Sequence, residues 1–158
     1  MASTYTTRTG IEKPGTGEQS GTWGDTTNTN FDIIDTALNG VVTLSLSGTS
    51  SNLTTTDGSV TDGMNKMIIC GGSPSATHTI TVAPNDAEKL YFVTNNTAQS
   101  IVFSQGSGAN ATVATGESRI IHCNGAGSGA VVTDYTSTMA ASTTFIDGQA
   151  TALAIALG

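Results

Sequence analysis

The sequence predicts a mainly β protein: an antiparallel β-sandwich, jelly-roll-like, preceded by an extended arm and one short helix. The first observation behind this is compositional. Hydrophobic residues make up 37%, aromatic residues 5% and charged residues 11% of 158 positions, alongside 19 glycines. A chain poor in both charge and bulk does not read as an ordinary soluble enzyme; it suits many short strands, or burial completed in an assembly. The second observation is spacing. Apolar runs of about five residues, spaced roughly ten apart and separated by Gly, Pro and Asn clusters, are the pattern of sandwiches and jelly rolls. The third is a change of period at Val41, from the 3.6 of a helix to the 2 of a strand.

Residues 1–40 form the first expected unit, an arm and a helix. Gly10, Pro14, Gly15, Gly17, Gly21 and Gly24 interrupt any periodicity before residue 25, so this stretch is expected to be extended. Arg8, Glu12, Lys13 and Glu18 give it a solvated charge pattern. Tyr5, Ile11 and Trp23 are its large apolar side chains, expected either to fold back on the domain or to anchor the arm in a partner. A helix is predicted over residues 25–40, with Asp25, Thr27 or Thr29 as N-cap and Asp32 three residues beyond Thr29, as in a capping box. Phe31, Ile34 and Leu38 form its apolar stripe, widened by Ile33 and Ala37; Asp32, Asp35 and Asn39 lie opposite. Asn39-Gly40 ends it.

Residues 41–136 are the expected β-sandwich. Val42, Leu44 and Leu46 alternate with polar residues as a half-buried strand does, and Leu53-Thr-Thr-Thr runs into Asp57-Gly58, a hairpin-type turn. Further strands are predicted from Lys66 to Cys70, Thr77 to Val82, Ala111 to Ala114, Ser118 to Cys123 and Ala130 to Tyr135. At the centre, Lys89–Thr94 and Ser100–Ser104 flank an Asn-rich loop and predict a hairpin. Alternation sets Leu90 and Phe92 on one face, Tyr91 and Val93 on the other; Ile101 and Phe103 likewise oppose Val102. Since neither face is polar, the second must be covered by another layer or another copy.

Residues 137–158 make a linker and a C-terminal assembly segment. Asp147-Gly148 marks a hairpin turn, and Leu153, Ile155 and Leu157 alternate with alanine as in a strand. An Ala-rich helix is the competing reading. Either form leaves an apolar strip, expected to pack against a neighbouring copy or another protein.

The charge and the motifs exclude more than they assign. A net charge of −7 argues against nucleic acid, whose recognition needs a Lys/Arg stripe, and against docking to anionic lipid. No apolar run approaches the ~20 residues of a membrane span, and the N-terminus has no leader-like apolar stretch. Cys70, His78, His122 and Cys123 invite a zinc reading, but adjacent strand residues such as His122 and Cys123 point to opposite faces. No metal, cofactor or catalytic residue is therefore assigned: the glycine runs lack a phosphate-loop lysine, and Asp32 and Asp35 sit on a solvated helix face.

The passage from Gly15 to Gly40, with Thr22-Trp23-Gly24, an Asn-rich turn and Ile33-Ile34-Asp35, resembles the N-terminal region of bacteriophage tail-fibre and related virion structural proteins, of the marine and cyanobacterial phage type. Lys66-Met-Ile-Ile, Thr79-Ile-Thr-Val-Ala-Pro, Lys89-Leu-Tyr-Phe-Val-Thr, the stretch from Gly108 to Gly116 and Ile120-Ile-His-Cys are similar in kind, so the resemblance covers about residues 9 to 134. It implies a non-enzymatic virion protein, a tail fibre or a fibre-attachment or adaptor component. It implies a homo-oligomer, with a trimer the first expectation, made in host cytoplasm and carried in the virion. Other virion proteins of tail or capsid, and a host surface glycan, are the further expected partners. A capsid decoration or head-fibre protein and a carbohydrate-binding module remain as alternatives. The last would want aromatic side chains on a flat sheet, and Tyr91, Tyr135 and Trp23 are few and scattered.

Overall fold

The computed structural model describes residues 2–137 and Met139. In order, the chain forms β1 (Thr4–Tyr5), β2 (Glu12–Lys13), α1 (Trp23–Asn39), β3 (Val41–Thr54), β4 (Met67–Ala83), β5 (Glu88–Asn95), β6 (Ile101–Ser104), β7 (Ala111–Val113), β8 (Ser118–Asn124) and β9 (Val132–Asp134). Tight 3-10 turns occupy Asp62–Met64 and Gly127–Gly129. The mainly β expectation holds, and β3 to β9 form one sheet of seven strands.

That sheet is mixed, which corrects the antiparallel jelly-roll expectation. β3 runs parallel to β4 along its whole length. The first half of β4 pairs in parallel with β5 and the second half with β6. Only β5–β8, β6–β7 and β8–β9 are antiparallel. The sheet also bends back on itself: Val132 donates to the Ala109 carbonyl and Gly116 to that of Asn95, which brings the β7 end beside β5, β8 and β9. The result is close to a barrel, around one core. That core holds Ile68, Cys70, Tyr91, Val93, Ile121 and Cys123 from one end and Leu53, Ile80, Val82, Ile101, Phe103 and Val113 from the other.

Two sequence signals misled for identifiable reasons. Gly71-Gly72-Ser73-Pro74 reads as a strand break, yet β4 continues through it, with a register shift after Gly48 on β3 and Pro74 on β4. Gly72 has φ +92°, and a Cβ there would collide with the Leu46 backbone, so glycine is required for a bulge rather than for a turn. The central hairpin is likewise absent. β5 and β6 lie end to end along β4, pointing the same way, and residues 96–100 are a sideways step instead of a reversal. Asn95 holds the step: its fully buried amide donates to the Gln99 and Val113 carbonyls and accepts from the Thr97 amide and hydroxyl. Asp57-Gly58 also turns the chain without making a hairpin, since β3 and β4 are parallel.

Side-chain alternation survives both corrections. Tyr91, Val93, Ile101 and Phe103 are buried, while Leu90 and Phe92 are exposed. The N-terminal arm is a small hairpin of β1 and β2 rather than a purely extended chain. It is fastened by a reciprocal pair, Glu12 N–H to Asn30 Oδ1 at 2.9 Å and Asn30 Nδ2 to the Glu12 carbonyl at 2.8 Å. A bond from Gly58 N–H to the Gly10 carbonyl at 2.7 Å adds to it.

Candidate interaction surface

α1 begins two residues earlier than expected, and its cap is Thr22, without a side-chain bond. None of Asp25, Thr27 and Thr29 caps it; the Thr27 hydroxyl instead bonds back to the Trp23 carbonyl at 2.9 Å. The stop at Gly40 is as expected, where Gly40 N–H donates to the Thr36 carbonyl at 2.8 Å. The helix is rotated toward one edge of the expected apolar stripe. Ile33 and Ala37, which widened it, face the domain, and Asp32, Asp35 and Asn39 are exposed as expected. Of its residues only Ile33 is buried, whereas Phe31 is 63% exposed, Leu38 66% and Ile34 38%. Ile33 lies about 160° round the axis from Phe31, at ~100° per residue. Body contacts made by Ile33 and Asn30 thus leave the stripe of Phe31, Ile34 and Leu38 uncovered.

Trp23 flanks the same stripe at 64% exposure. It neither folds back on the domain nor belongs to the arm, because it is the first residue of the helix. Tyr5 is exposed at the arm hairpin, and Ile11 is half-buried. Leu153, Ile155 and Leu157 lie outside the described residues.

Directly after α1, Val41 opens a second apolar row. Strand register aligns Val41 with Met67, Met67 with Phe92, and Phe92 with Ile120, all on the outer face of the sheet. Val41 and Phe92 are exposed, Met67 and Ile120 half-buried. The last three, with Arg119 and Thr136, line a shallow groove of about 350 Å³. The Lys66 ammonium sits 5.8 Å from the Phe92 ring centroid.

A larger and polar cleft, of about 670 Å³, opens between the arm and the strand ends. Tyr5, Arg8, Asp57 and Asp86 line it. Its cationic side chain, that of Arg8, is matched within the chain. Arg8 bonds Glu88 at 2.7 Å and holds that carboxyl below its ordinary range, helped by His122 at 3.6 Å. Lys89 donates to the Arg8 carbonyl at 2.8 Å, and burial lowers its ammonium's pKa against the opposing pull of Asp57. This cleft is a seam that clamps the arm.

Among the described residues no group of three or more His, Cys, Asp or Glu side chains is placed to hold a metal ion, and no helix is long and apolar enough to cross a membrane. Cys123 is buried while His122 is half-exposed, as opposite faces of β8 require. Cys70 and Cys123 are free thiols inside the core, each pushed up to about 12 by burial. Neither is expected to react with a thiol reagent at neutral pH until the protein is unfolded, and titration with and without denaturant checks this. The same shift fixes a pH dependence. Folded-state values above the reference of 9.0 stabilise the fold fully below that pH, and the contribution is lost as pH rises toward 12.

One pair escaped the sequence reading. His78, fully buried, is hydrogen-bonded through Nε2 to the Ser51 hydroxyl at 2.9 Å, while its Nδ1 faces the Gly48 carbonyl at 3.3 Å. A serine and a histidine in contact suggest a nucleophile and its base. The histidine's complete burial denies a substrate access, and both contacts fall where β3 and β4 change register, so the pair satisfies buried polar groups at the bulge.

No protein-family model, curated protein or solved structure matches the chain.

Proposed function

We propose that the chain is a non-enzymatic structural component of a bacteriophage virion, a tail fibre or fibre-attachment element that works as a homo-oligomer. The observation that carries the assembly part is the uncovered apolar face of α1 and the outer sheet. A large exposed apolar surface on a well-packed domain marks a contact with another macromolecule. The virion part rests on the Thr22-Trp23-Gly24 to Gly40 resemblance. A carbohydrate-binding reading gains nothing further: Tyr91 is inside the core, and Trp23 and Tyr135 stand on separate elements.

The purified protein should exceed its single-chain mass of 15.9 kDa in light scattering at micromolar concentration. A lone single-chain species would remove the assembly part. Electron microscopy of particles carrying a labelled chain should place it at the tail, and label absent from intact particles would remove the virion part.

A further inference from the structure

We infer that α1 packs in parallel against the α1 of identical copies through Thr27, Phe31, Ile34 and Leu38. This rests on the oligomeric reading above and names the element and the partner that make the contact.

The spacing along the stripe is four, three, four. That is the d-a-d-a order of a coiled-coil seam, with Thr27 and Ile34 at d and Phe31 and Leu38 at a. Such a seam is self-complementary: each side chain enters a hole made by the same residues of the next helix, so a second copy is its natural occupant. Leucine at a with isoleucine at d moves parallel helices from two strands toward three or four. The helix's own domain lies on the side of Ile33 and Asn30 and leaves the seam open.

Charge and area agree. The chain is acidic overall, so identical copies must keep their carboxylates apart. Asp25 and Asp32 fall at b, turned from the seam, and Asp35 falls at e, so no acid stands at a or d. Two heptads alone are too short to hold chains together. The outer sheet row of Val41 and Phe92, which follows α1 directly in the chain, adds exposed apolar area. The exposed fractions of Trp23, Phe31, Ile34, Leu38, Val41 and Phe92 amount to on the order of 600 Å², beside the ~800 Å² per partner of a stable interface.

Cross-linking tests this on the full chain. Cys70 and Cys123 are buried and do not compete, so Leu38→Cys should give a disulfide-linked pair of chains under mild oxidation, while Asp32→Cys, off the seam, should not. Phe31→Asp combined with Leu38→Asp should reduce the particle mass to that of one chain with an unchanged circular dichroism spectrum, since both residues are exposed in the single chain. A multi-copy parent without the Leu38→Cys cross-link, or a double variant of parental mass, overturns the α1 seam, leaves the oligomer standing, and gives the stripe to a different virion protein. A single-chain parent overturns the oligomeric reading and the seam with it.

Discussion

Asn95→Asp is expected to destabilise the fold by about 3–5 kcal/mol at pH 7, the range for a buried charge left without a partner. The substitution keeps the shape and reverses one end of the hydrogen bonding. In the parent, Nδ2 points at the carbonyl oxygens of Gln99 at 2.8 Å and Val113 at 3.0 Å. An ionised carboxylate would place a second acceptor against those two acceptors, out of water. The Thr97 amide and hydroxyl would still serve the first oxygen. A protonated carboxyl can donate to one of the two carbonyls, so its pKa in the folded state is raised above the ~3.9 of an unfolded aspartate. Its stabilising contribution is therefore present below the unfolded value and lost as pH rises through the folded one. Urea titrations at pH 7 and pH 4 should show the difference from the parent shrinking at pH 4. Asn95→Ala, which leaves the same carbonyls without a donor but brings no charge, should cost about 2–3 kcal/mol at both. An aspartate variant as stable as the parent at neutral pH would mean that this network does not hold the step between β5 and β6.

That step marks the limit of what residue patterns reveal. The face that turns inward, that of Tyr91, Val93, Ile101 and Phe103, could not be told from its opposite, since both are apolar. Which residues share a face was legible, because alternation is local. Which strand each pairs with was not. Asn-Asn-Thr between two apolar runs describes a hairpin turn as well as a sideways step, and the choice depends on the Gln99 and Val113 carbonyls that Asn95 finds. The glycines at 71 and 72 pose the same ambiguity, since a break and a bulge both need a residue without a Cβ.

The candidate surface was half legible. The stripe of Phe31, Ile34 and Leu38 is plain in the sequence, but an apolar stripe on one helix reads as core by default. The discriminating signal was present in the spacing. Ile33 stands outside the four-three-four series of Thr27, Phe31, Ile34 and Leu38, and it is the one residue of the helix that is buried. Trp23 drew attention for its isolation in an otherwise polar region, yet its place on α1 required knowing that the helix starts at the tryptophan. The Ser51–His78 contact left no trace in the sequence, because it joins residues 27 apart through parallel pairing.

Tyr91→Ala should cost about 3–5 kcal/mol, the range for emptying an aromatic site in a packed core. The ring is 1% exposed and sits among the core side chains of β5, β8 and β4. Its hydroxyl donates to the Gly63 carbonyl at 2.8 Å, which ties the Asp62–Met64 turn to the core. That turn abuts α1 and supplies Met64 to the wall of the arm cleft. Tyr91→Phe keeps the ring and removes only the bond, so it should cost about 1–2 kcal/mol. It should also quicken amide exchange at Met64 and Asn65 beyond the global change, since the turn loses its tether. The two substitutions separate further at alkaline pH. Burial, with the Cys123 thiol beside it, raises the Tyr91 hydroxyl above its ordinary value of 10.0. A raised folded-state value means that the stabilising contribution is complete below the unfolded value and is lost as pH rises beyond it. The parent should therefore lose stability above pH 10, on top of the loss that Cys70 and Cys123 begin near 9. Tyr91→Phe has no such proton to lose, so its stability should fall less steeply between pH 10 and 11, in urea titrations run against the parent. Equal slopes in that interval would mean that the Tyr91 hydroxyl ionises as readily in the folded chain as in the unfolded one.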